Sequence, residues 1–308
     1  MEEKLLKNHE LHPPHERSAS AGQQETLMPE HTDTADCATD LEFPVRYGEI
    51  GENGVATLSA LGNWLQEAAG RNAEALGFGE NALLQHGVTW VLTRLVLRMD
   101  RLPREGEHLR IHTWPAMLDR FGHRGYEVYD EKNRLIVSGG SAWSVMRLSD
   151  RSLSQLPAAL VPKYPSEPRP CPPFACRVIP RLRAEHPSHA LLRVRRDDLD
   201  INGHVNNTRY MAWLMETFPP FSSGDREHAV PLTPRLVDIT FRAECFPQEE
   251  LECLCASAEP PAGTEKEILG KDAPWTELHS IRRIGDNEEV CRALTLWEEN
   301  PECPAGTL

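Results

Sequence analysis

The sequence predicts an α+β fold that contains two copies of one unit, in which a long helix packs on an antiparallel sheet. Apolar and small residues recur at helical spacing from Leu58 to Leu76, and the pattern ends at Gly77 and Gly79. Segments of alternating apolar and polar residues follow and are separated by turns that contain Pro, Gly or Asn, which is typical of antiparallel strands. The same order of elements then recurs in the second half of the chain.

The first predicted unit spans residues 41–156 and follows an acidic N-terminal tail, residues 1–40, that we expect to be disordered because it lacks any periodic apolar pattern. Its helix covers Leu58–Leu76. Its expected strands are Phe43–Tyr47, Thr89–Leu102, Leu109–Trp114, Gly125–Tyr129 and Arg134–Arg147.

The second predicted unit spans residues 179–300 and is separated from the first by a proline-rich, semi-rigid linker at residues 157–178. A short C-terminal tail, residues 301–308, follows it. The expected strands of this unit are Ala190–Arg196, Arg235–Cys245, Leu251–Ser257, Trp275–Arg283 and Val290–Trp297.

The repeat is visible when the chain is compared with itself. At an offset of 149 positions, Asn53-Gly54 aligns with Asn202-Gly203 and Trp64-Leu65 aligns with Trp213-Leu214. At an offset of 144 positions, Pro103 aligns with Pro247. The ordered matches predict two copies of one fold.

A short polar motif lies at the start of the second predicted helix. Asp200, Asn202 and His204 occur within five residues of one another, before a helix that begins near Gly203 to Val205. A helix cap needs one short polar side chain, whereas this motif offers a carboxylate, an amide and an imidazole, which indicates a functional site. The first copy has Gly51 and Val55 at the positions of Asp200 and His204. We therefore expect one active site, in the second unit.

Composition excludes several functional classes. A net charge of −14 argues against a general nucleic-acid binder, and no apolar stretch approaches the length of a membrane span. The eight cysteines show no zinc-like paired spacing, so we expect reduced thiols, no metal, no cofactor and a cytoplasmic location. His9, His12 and His15 have helical metal-site spacing, but Pro13-Pro14 interrupts it.

The motif and its surroundings carry a family resemblance. The segment from Asp198 to Trp213 and the downstream Arg242-Ala243-Glu244-Cys245 resemble the acyl-acyl-carrier-protein (acyl-ACP) thioesterases of plants and bacteria. In the first half, Trp90-Val91-Leu92 and Thr113-Trp114-Pro115 resemble segments of the same family. The resemblance covers about Leu41 to Trp297. It implies a tandem hotdog fold, in which a curved antiparallel sheet wraps a long helix, and hydrolysis of fatty acyl-ACP to free fatty acid and holo-ACP.

The resemblance also implies catalytic roles for Asp200, Asn202, His204 and Glu244. Cys245 is the alternative, as a nucleophile with His204. In a regular strand Glu244 and Cys245 would face opposite sides, and Cys245 would lie on the apolar side, which favours Glu244.

Other contacts with substrate are expected around these groups. The backbone N–H groups of Val205 and Asn206 are the candidates for binding the oxyanion at the helix N-terminus. The long helix of the first unit is expected to line the acyl cavity with Trp64, Ala68 and Ala69, unless these residues only form core. Arg193, Arg195 and Arg209 are the candidates for contact with an acidic carrier protein.

Alternative functions remain open at this stage. Single-unit acyl-CoA thioesterases of the same fold carry similar motifs, so an acyl-CoA thioesterase is the second candidate. A hotdog hydratase would use a different Asp and His spacing. A ligand-sensing regulator would need a DNA-binding domain, which the acidic tail does not resemble. The sequence leaves chain-length preference and oligomeric state open, with a homodimer as one option.

Overall fold

The computed structural model describes residues 37–217, 232–260 and 275–299. The predicted tail is therefore outside the described residues up to residue 36, as is the C-terminal tail. The helices are α1 (Leu58–Leu76), α2 (Glu80–Leu84) and α3 (Asn207–Trp213). The strands are β1 (Thr39–Pro44), β2 (Val88–Met99), β3 (His108–Leu118), β4 (Gly122–Tyr129), β5 (Leu135–Arg147), β6 (Leu153–Ser154), β7 (Ser188–Arg193), β8 (Leu232–Phe241), β9 (Glu250–Ser257), β10 (Trp275–Arg283) and β11 (Glu289–Glu299).

All eleven strands form one antiparallel sheet. Its order is β1-β3-β4-β5-β2-β8-β11-β10-β9-β7, with β6 paired to β5. The strand order from one edge to the centre is β1-β3-β4-β5-β2, and from the other edge to the centre it is β7-β9-β10-β11-β8. These two series are equivalent strands of the two copies, so both halves of the sheet have the same order. The halves meet where β2 pairs with β8, and Leu95 lies opposite Ile239 at this junction. The α+β class is confirmed.

Helix α1 has the bounds that its sequence pattern predicts. The Thr57 side chain accepts a hydrogen bond from the Ala60 N–H at the N-terminus, and Gly77 adopts the left-handed conformation at the C-terminus. Its apolar face is buried against the sheet, with Leu61 and Leu65 in the main core. The helix therefore provides a fixed surface along the first half of the sheet.

Helix α3 is much shorter and packs against α1 at corresponding positions of the two copies. Ser59 Oγ donates to the Thr208 carbonyl at 2.7 Å, and these residues are 149 positions apart. Gly62 is needed for this close approach, because a Cβ at that position would lie 2.9 Å from Met211 Sδ. Met211 is itself 149 positions after Gly62. The helices of the two copies thus meet near a pseudo-twofold axis.

The loops before the two helices have the same conformation. Ile50 bridges Ala56 in the first copy, and Leu199 bridges Val205 in the second, again 149 positions later. Gly54 and Gly203 both have positive φ, at 72° and 78°. The aligned Asn-Gly pairs therefore mark one turn that both copies require, since only glycine adopts this conformation freely.

Several predicted strands have other bounds in the structure; the strand predicted at Thr89–Leu102, for example, ends at Met99. The strand predicted at Phe43–Tyr47 is Thr39–Pro44, and a 3-10 turn begins at Tyr47. The strand predicted at Ala190–Arg196 is Ser188–Arg193, and a 3-10 turn begins at Arg196.

The strand predicted at Arg235–Cys245 is Leu232–Phe241. The ladder stops because the N–H groups of Arg242 and Ala243 both donate to the Val290 carbonyl. Glu244 and Cys245 therefore follow the strand, and alternation along the strand cannot decide which side each one faces.

The sheet face opposite the helices is covered by the proline-rich segment. Phe174, Ile179 and Leu182 pack with Val96 and Leu236 on that face. Arg94 binds Asp238 across the β2–β8 junction, with Nε to Oδ1 at 2.8 Å, and donates to the Cys176 carbonyl. Residues 174–182 are thus fixed to the sheet. The role of residues 157–178 as a linker between two units stays a prediction. Among the described residues, no helix has the length and apolar character needed to cross a membrane.

Candidate active site

Asp200 organises the loop that precedes α3. Its Oδ1 atom accepts hydrogen bonds from the backbone N–H groups of Asn202, at 2.8 Å, and His204, at 3.3 Å. The Asp200 N–H in turn donates to the His204 carbonyl at 2.8 Å. These bonds hold Asp200 and His204 in one tight turn, in which Asn202 is exposed.

His204 and Glu244 come together although forty residues separate them in the chain. His204 Nδ1 lies 3.7 Å from Glu244 Oε1. The Phe246 ring packs edge-on against the imidazole, with ring centroids 5.3 Å apart. The His204 pKa is lowered, chiefly by burial and also by the nearby Arg151 guanidinium, against an opposing effect of Asp200. The lowered pKa favours the neutral imidazole near pH 7, which is the form that can act as a general base.

A cavity of about 1390 Å³ opens beside this cluster. Asp200, Asn202, His204 and Glu244 line it together with other residues of the second copy, such as Tyr210 and Phe241, and most of the remaining lining comes from the first copy. The first-copy lining combines apolar side chains with the exposed face of α1, and includes Ala69, Ala73, Phe78, Trp90, Leu92, Trp143 and Met146. A cavity that combines apolar side chains with this polar cluster fits a ligand that has an apolar chain and a reactive end.

Comparison with protein families matches both halves of the chain. The family model of the acyl-ACP thioesterase N-terminal domain matches residues 37–164, and that of the C-terminal domain matches residues 182–299. The chain belongs to the acyl-ACP thioesterase family. It is an enzyme of the thioester hydrolase class.

Individual members of the acyl-ACP thioesterase family are moderately similar. The chloroplastic oleoyl-acyl carrier protein thioesterase 1 of Arabidopsis thaliana is 28% identical over 282 residues, which cover 84% of this chain and 76% of that protein. The chloroplastic palmitoyl-acyl carrier protein thioesterase of Cuphea hookeriana is 26% identical over 271 residues, which cover 83% of this chain and 61% of that protein.

Solved structures of acyl-ACP thioesterases have the same fold. The crystal structure of an acyl-ACP thioesterase from Bacteroides thetaiotaomicron superposes with a TM-score of 0.71 at 26% identity. The superposition covers 87% of this chain and 100% of that chain. The 12:0-ACP thioesterase from Umbellularia californica has a TM-score of 0.70 at 21% identity, over 86% of this chain and 98% of that chain, and this likeness supports the fold alone. The predicted tandem hotdog fold is confirmed.

Cys245 has the surroundings of an inert thiol in this thioesterase. Its side chain is fully buried, with 0% exposure, and burial raises its pKa to about 11. It is in contact with Tyr210, and the cavity lining includes Glu244 but not Cys245. A nucleophilic cysteine needs a lowered pKa and access to substrate, so the structure favours Glu244.

The predicted oxyanion donors are wrong for this structure. The Val205 N–H donates to the Cys245 carbonyl at 3.0 Å, and the Asn206 N–H donates to the Asp198 carbonyl at 2.8 Å. Both groups are used to attach the loop to its neighbours. Neither is therefore free to bind a substrate oxygen.

The predicted acyl-binding residues separate into two groups. Ala69 lines the cavity, although it is also buried in the main core. Ala68 is completely buried in the main core, and Trp64 is buried there too and donates from Nε1 to Glu49 Oε1 at 2.9 Å. For Trp64 and Ala68 the core-packing alternative is correct, because helix α1 turns these side chains toward the sheet.

The three arginines predicted to contact the carrier are all partly or fully exposed, but they differ in their bonding. Arg195 bonds to Asp198, and Arg209 donates to the Asp197 carbonyl at 2.8 Å. Arg193 has no hydrogen bond or ion pair from its side chain among the described residues. Arg193 is thus the least constrained of the three.

Sequence reasoning missed one residue of the site. Arg151 follows β5 in the first copy, lines the cavity, and contacts both His204 and Glu244. No local pattern distinguishes it from other arginines in turns. The only available signal is its position, directly after the last long strand of the first copy.

Proposed function

We propose that the protein hydrolyses fatty acyl-ACP thioesters at the site formed by Asp200, Asn202, His204 and Glu244. The observation that carries the proposal is that these four residues line one cavity together with apolar side chains, most of which come from α1 and the sheet of the first copy. The acyl chain would lie along that apolar surface. Its thioester carbonyl would lie beside the motif.

We assign the activation of the attacking water to Asp200. One carboxylate oxygen is held by two backbone N–H groups. The other has no hydrogen bond among the described residues and is available to a water molecule. A carboxylate fixed in this way can accept a proton from water without losing its orientation. Direct attack of Asp200 on the carbonyl is the alternative route.

His204 and Glu244 form the second part of the mechanism. The proton that Asp200 accepts from water must reach the departing thiolate. The neutral His204 imidazole can relay it by accepting a proton on one nitrogen and releasing one from the other, with the Glu244 carboxylate beside it. The Asn202 amide is exposed at the turn and is the candidate for orienting the substrate carbonyl, since its N–H₂ group can donate to oxygen.

The carrier protein is the proposed partner. Recognition of an acidic carrier by a chain with a net charge of −14 requires local positive charge near the site. Arg193 is the first candidate because its side chain has no competing partner in the part of the chain that the structure describes, and Arg195 and Arg209 follow it in the same region. A cytoplasmic location is consistent with the seven described cysteines, which are all free.

Hydrolysis of matched thioesters tests the function. Acyl-ACP and acyl-CoA substrates of equal chain length, from eight to eighteen carbons, would be compared by steady-state kinetics. We expect a higher kcat/KM for acyl-ACP at the preferred length. A consistently higher value for acyl-CoA would replace the proposed function with that of an acyl-CoA thioesterase.

A further inference from the structure

Arg151 reaches the active site from the first copy through an unusual turn. It follows β5 and has a φ of 58°, which is uncommon for a residue other than glycine. The turn is fixed by Asp150, which accepts from Ser152 N–H at 3.1 Å and binds Arg147. The Arg151 N–H donates to the Arg147 carbonyl at 3.0 Å. A strained residue that is held so firmly indicates a functional constraint on its side chain.

The guanidinium group contacts both partners of the second copy. Arg151 Nη2 donates to Glu244 Oε1 and lies 3.3 Å from His204 Nε2. A guanidinium group has donors but no acceptor, so His204 Nε2 must be the acceptor. The proton of the neutral imidazole is then on Nδ1, on the side of Glu244 Oε1 at 3.7 Å.

We propose that Arg151 is a positioning residue, supplied by the first copy, that fixes the tautomer of His204 and the orientation of Glu244. The active site is then built by both copies, and the first one is more than a wall of the acyl cavity. This inference rests on the proposed function for its kinetic test, but its structural test does not.

Two physical effects follow from the contact. The fixed cation disfavours a second proton on His204, which keeps the imidazole neutral at a lower pH than a free histidine. The charge-assisted bond to Glu244 also limits the rotation of that carboxylate, since such bonds are stronger than those between neutral groups.

Kinetics of Arg151→Ala test the proposal, with Arg104→Ala as the matched control. Arg104 is an exposed arginine of the first copy, in the β2–β3 turn, and is not among the residues that line the cavity. We expect Arg151→Ala to lower kcat by at least about tenfold with a small change in KM. The acid limb of the kcat/KM profile should move to higher pH, because removal of the cation raises the His204 pKa. Added guanidinium should restore part of the lost rate, and Arg104→Ala should change none of these quantities.

A second measurement does not depend on enzyme activity. It also remains informative if Arg151→Ala fails to fold, because it uses the wild type and Arg151→Lys. Nitrogen-15 spectra of imidazole-labelled protein, at a pH where His204 is neutral, report its tautomer in the wild type and in Arg151→Lys. His204 would be assigned with His204→Gln. We expect the Nδ1–H tautomer in the wild type, and a larger fraction of Nε2–H in Arg151→Lys because an ammonium cannot reproduce the planar fork.

The Nε2–H tautomer in the folded wild type would overturn the proposal, whether or not the protein hydrolyses acyl-ACP. An unchanged pH profile in Arg151→Ala, with no rescue by guanidinium, would also overturn it and leave Arg151 a purely structural residue. Absence of acyl-ACP hydrolysis by the wild type, with the Nδ1–H tautomer present, would reject the proposed function but not the positioning role.

Discussion

Glu244 and Cys245 are adjacent in the chain but have opposite surroundings. Glu244 is partly exposed, faces His204 and binds Arg151, whereas Cys245 is buried with a raised pKa. Both follow the end of β8. The distinction between a reactive and an inert side chain thus depends on the loop path after the strand, where the chain leaves the regular ladder.

Separate substitutions of these two adjacent residues therefore test the catalytic assignment. Glu244→Gln keeps the shape of the side chain but removes its charge, and we expect turnover to fall by more than about tenfold. Cys245→Ala should keep turnover close to that of the wild type, with some loss of thermal stability from the small cavity. Steady-state kinetics with thermal melts would decide. If Cys245→Ala were folded but inactive while Glu244→Gln remained active, the thiol mechanism would be correct.

Site residues that are close together in the sequence were predictable, whereas those far apart were not. Asp200, Asn202 and His204 could be predicted because they occur within one short turn and offer more functional groups than a helix cap requires. Arg151 could not, because its contacts to His204 and Glu244 are separated by 53 and 93 residues. The prediction for the Val205 and Asn206 N–H groups is wrong for a similar reason. Their acceptors are the Cys245 and Asp198 carbonyls, and no local sequence pattern indicates these contacts, because they form only when the loop folds.

At the scale of elements, helix α1 was predictable to its last residue because caps mark both ends. The sides that its residues face were less predictable. Neighbouring residues on a helix point about 100° apart, so a small error in the assumed face moves an alanine from core to cavity. The pair Ala68 and Ala69 illustrates this point.

Leucine at these two positions should have different effects. Ala69→Leu adds volume at the cavity wall, so we expect the preference to shift toward shorter acyl chains. Ala68→Leu, the matched control, adds the same volume to a close-packed core and should reduce the free energy of unfolding by about 1–3 kcal/mol without changing chain-length preference. A chain-length panel and urea unfolding of both variants would check this. Equal chain-length profiles for the two would contradict it.

The β10 strand contains a histidine that should make the fold sensitive to acid. His279 is fully buried, its Nε2 lies 2.9 Å from Thr295 Oγ1, and burial lowers its pKa to about 3. Between about pH 6.5 and this value the unfolded chain binds a proton on His279 that the folded protein does not, so stability falls as the pH falls.

We therefore expect the free energy of unfolding to decrease by on the order of 2 kcal/mol from pH 7 to pH 5 through this one residue. Urea unfolding at both pH values would measure the loss. His279→Gln keeps a hydrogen-bonding group but does not titrate, so its loss over the same interval should be smaller by that amount. An equal loss in both proteins would refute the assignment.

At the scale of the whole molecule, charge should govern the encounter with the carrier. We expect Arg193→Glu to raise KM for acyl-ACP about fivefold, with little effect on a small acyl thioester without the carrier. The difference should shrink as salt is added, since exposed charges are screened over about 8–10 Å near physiological ionic strength. Arg104→Glu is the control, because Arg104 is an exposed arginine in the β2–β3 turn of the first copy. An equal rise in KM for Arg104→Glu would indicate a general effect of net charge.

The contact between helices α1 and α3 at residues 149 positions apart has an evolutionary consequence. In an assembly of two identical subunits, every substitution appears twice, and both active sites inherit it. Duplication within one gene removes this restriction. The first copy could then lose the acidic and imidazole side chains at Gly51 and Val55, and its β5–β6 turn could acquire an arginine that serves the single remaining site. We infer that the two halves have become mutually dependent, so that neither could now be exchanged for a second copy of the other.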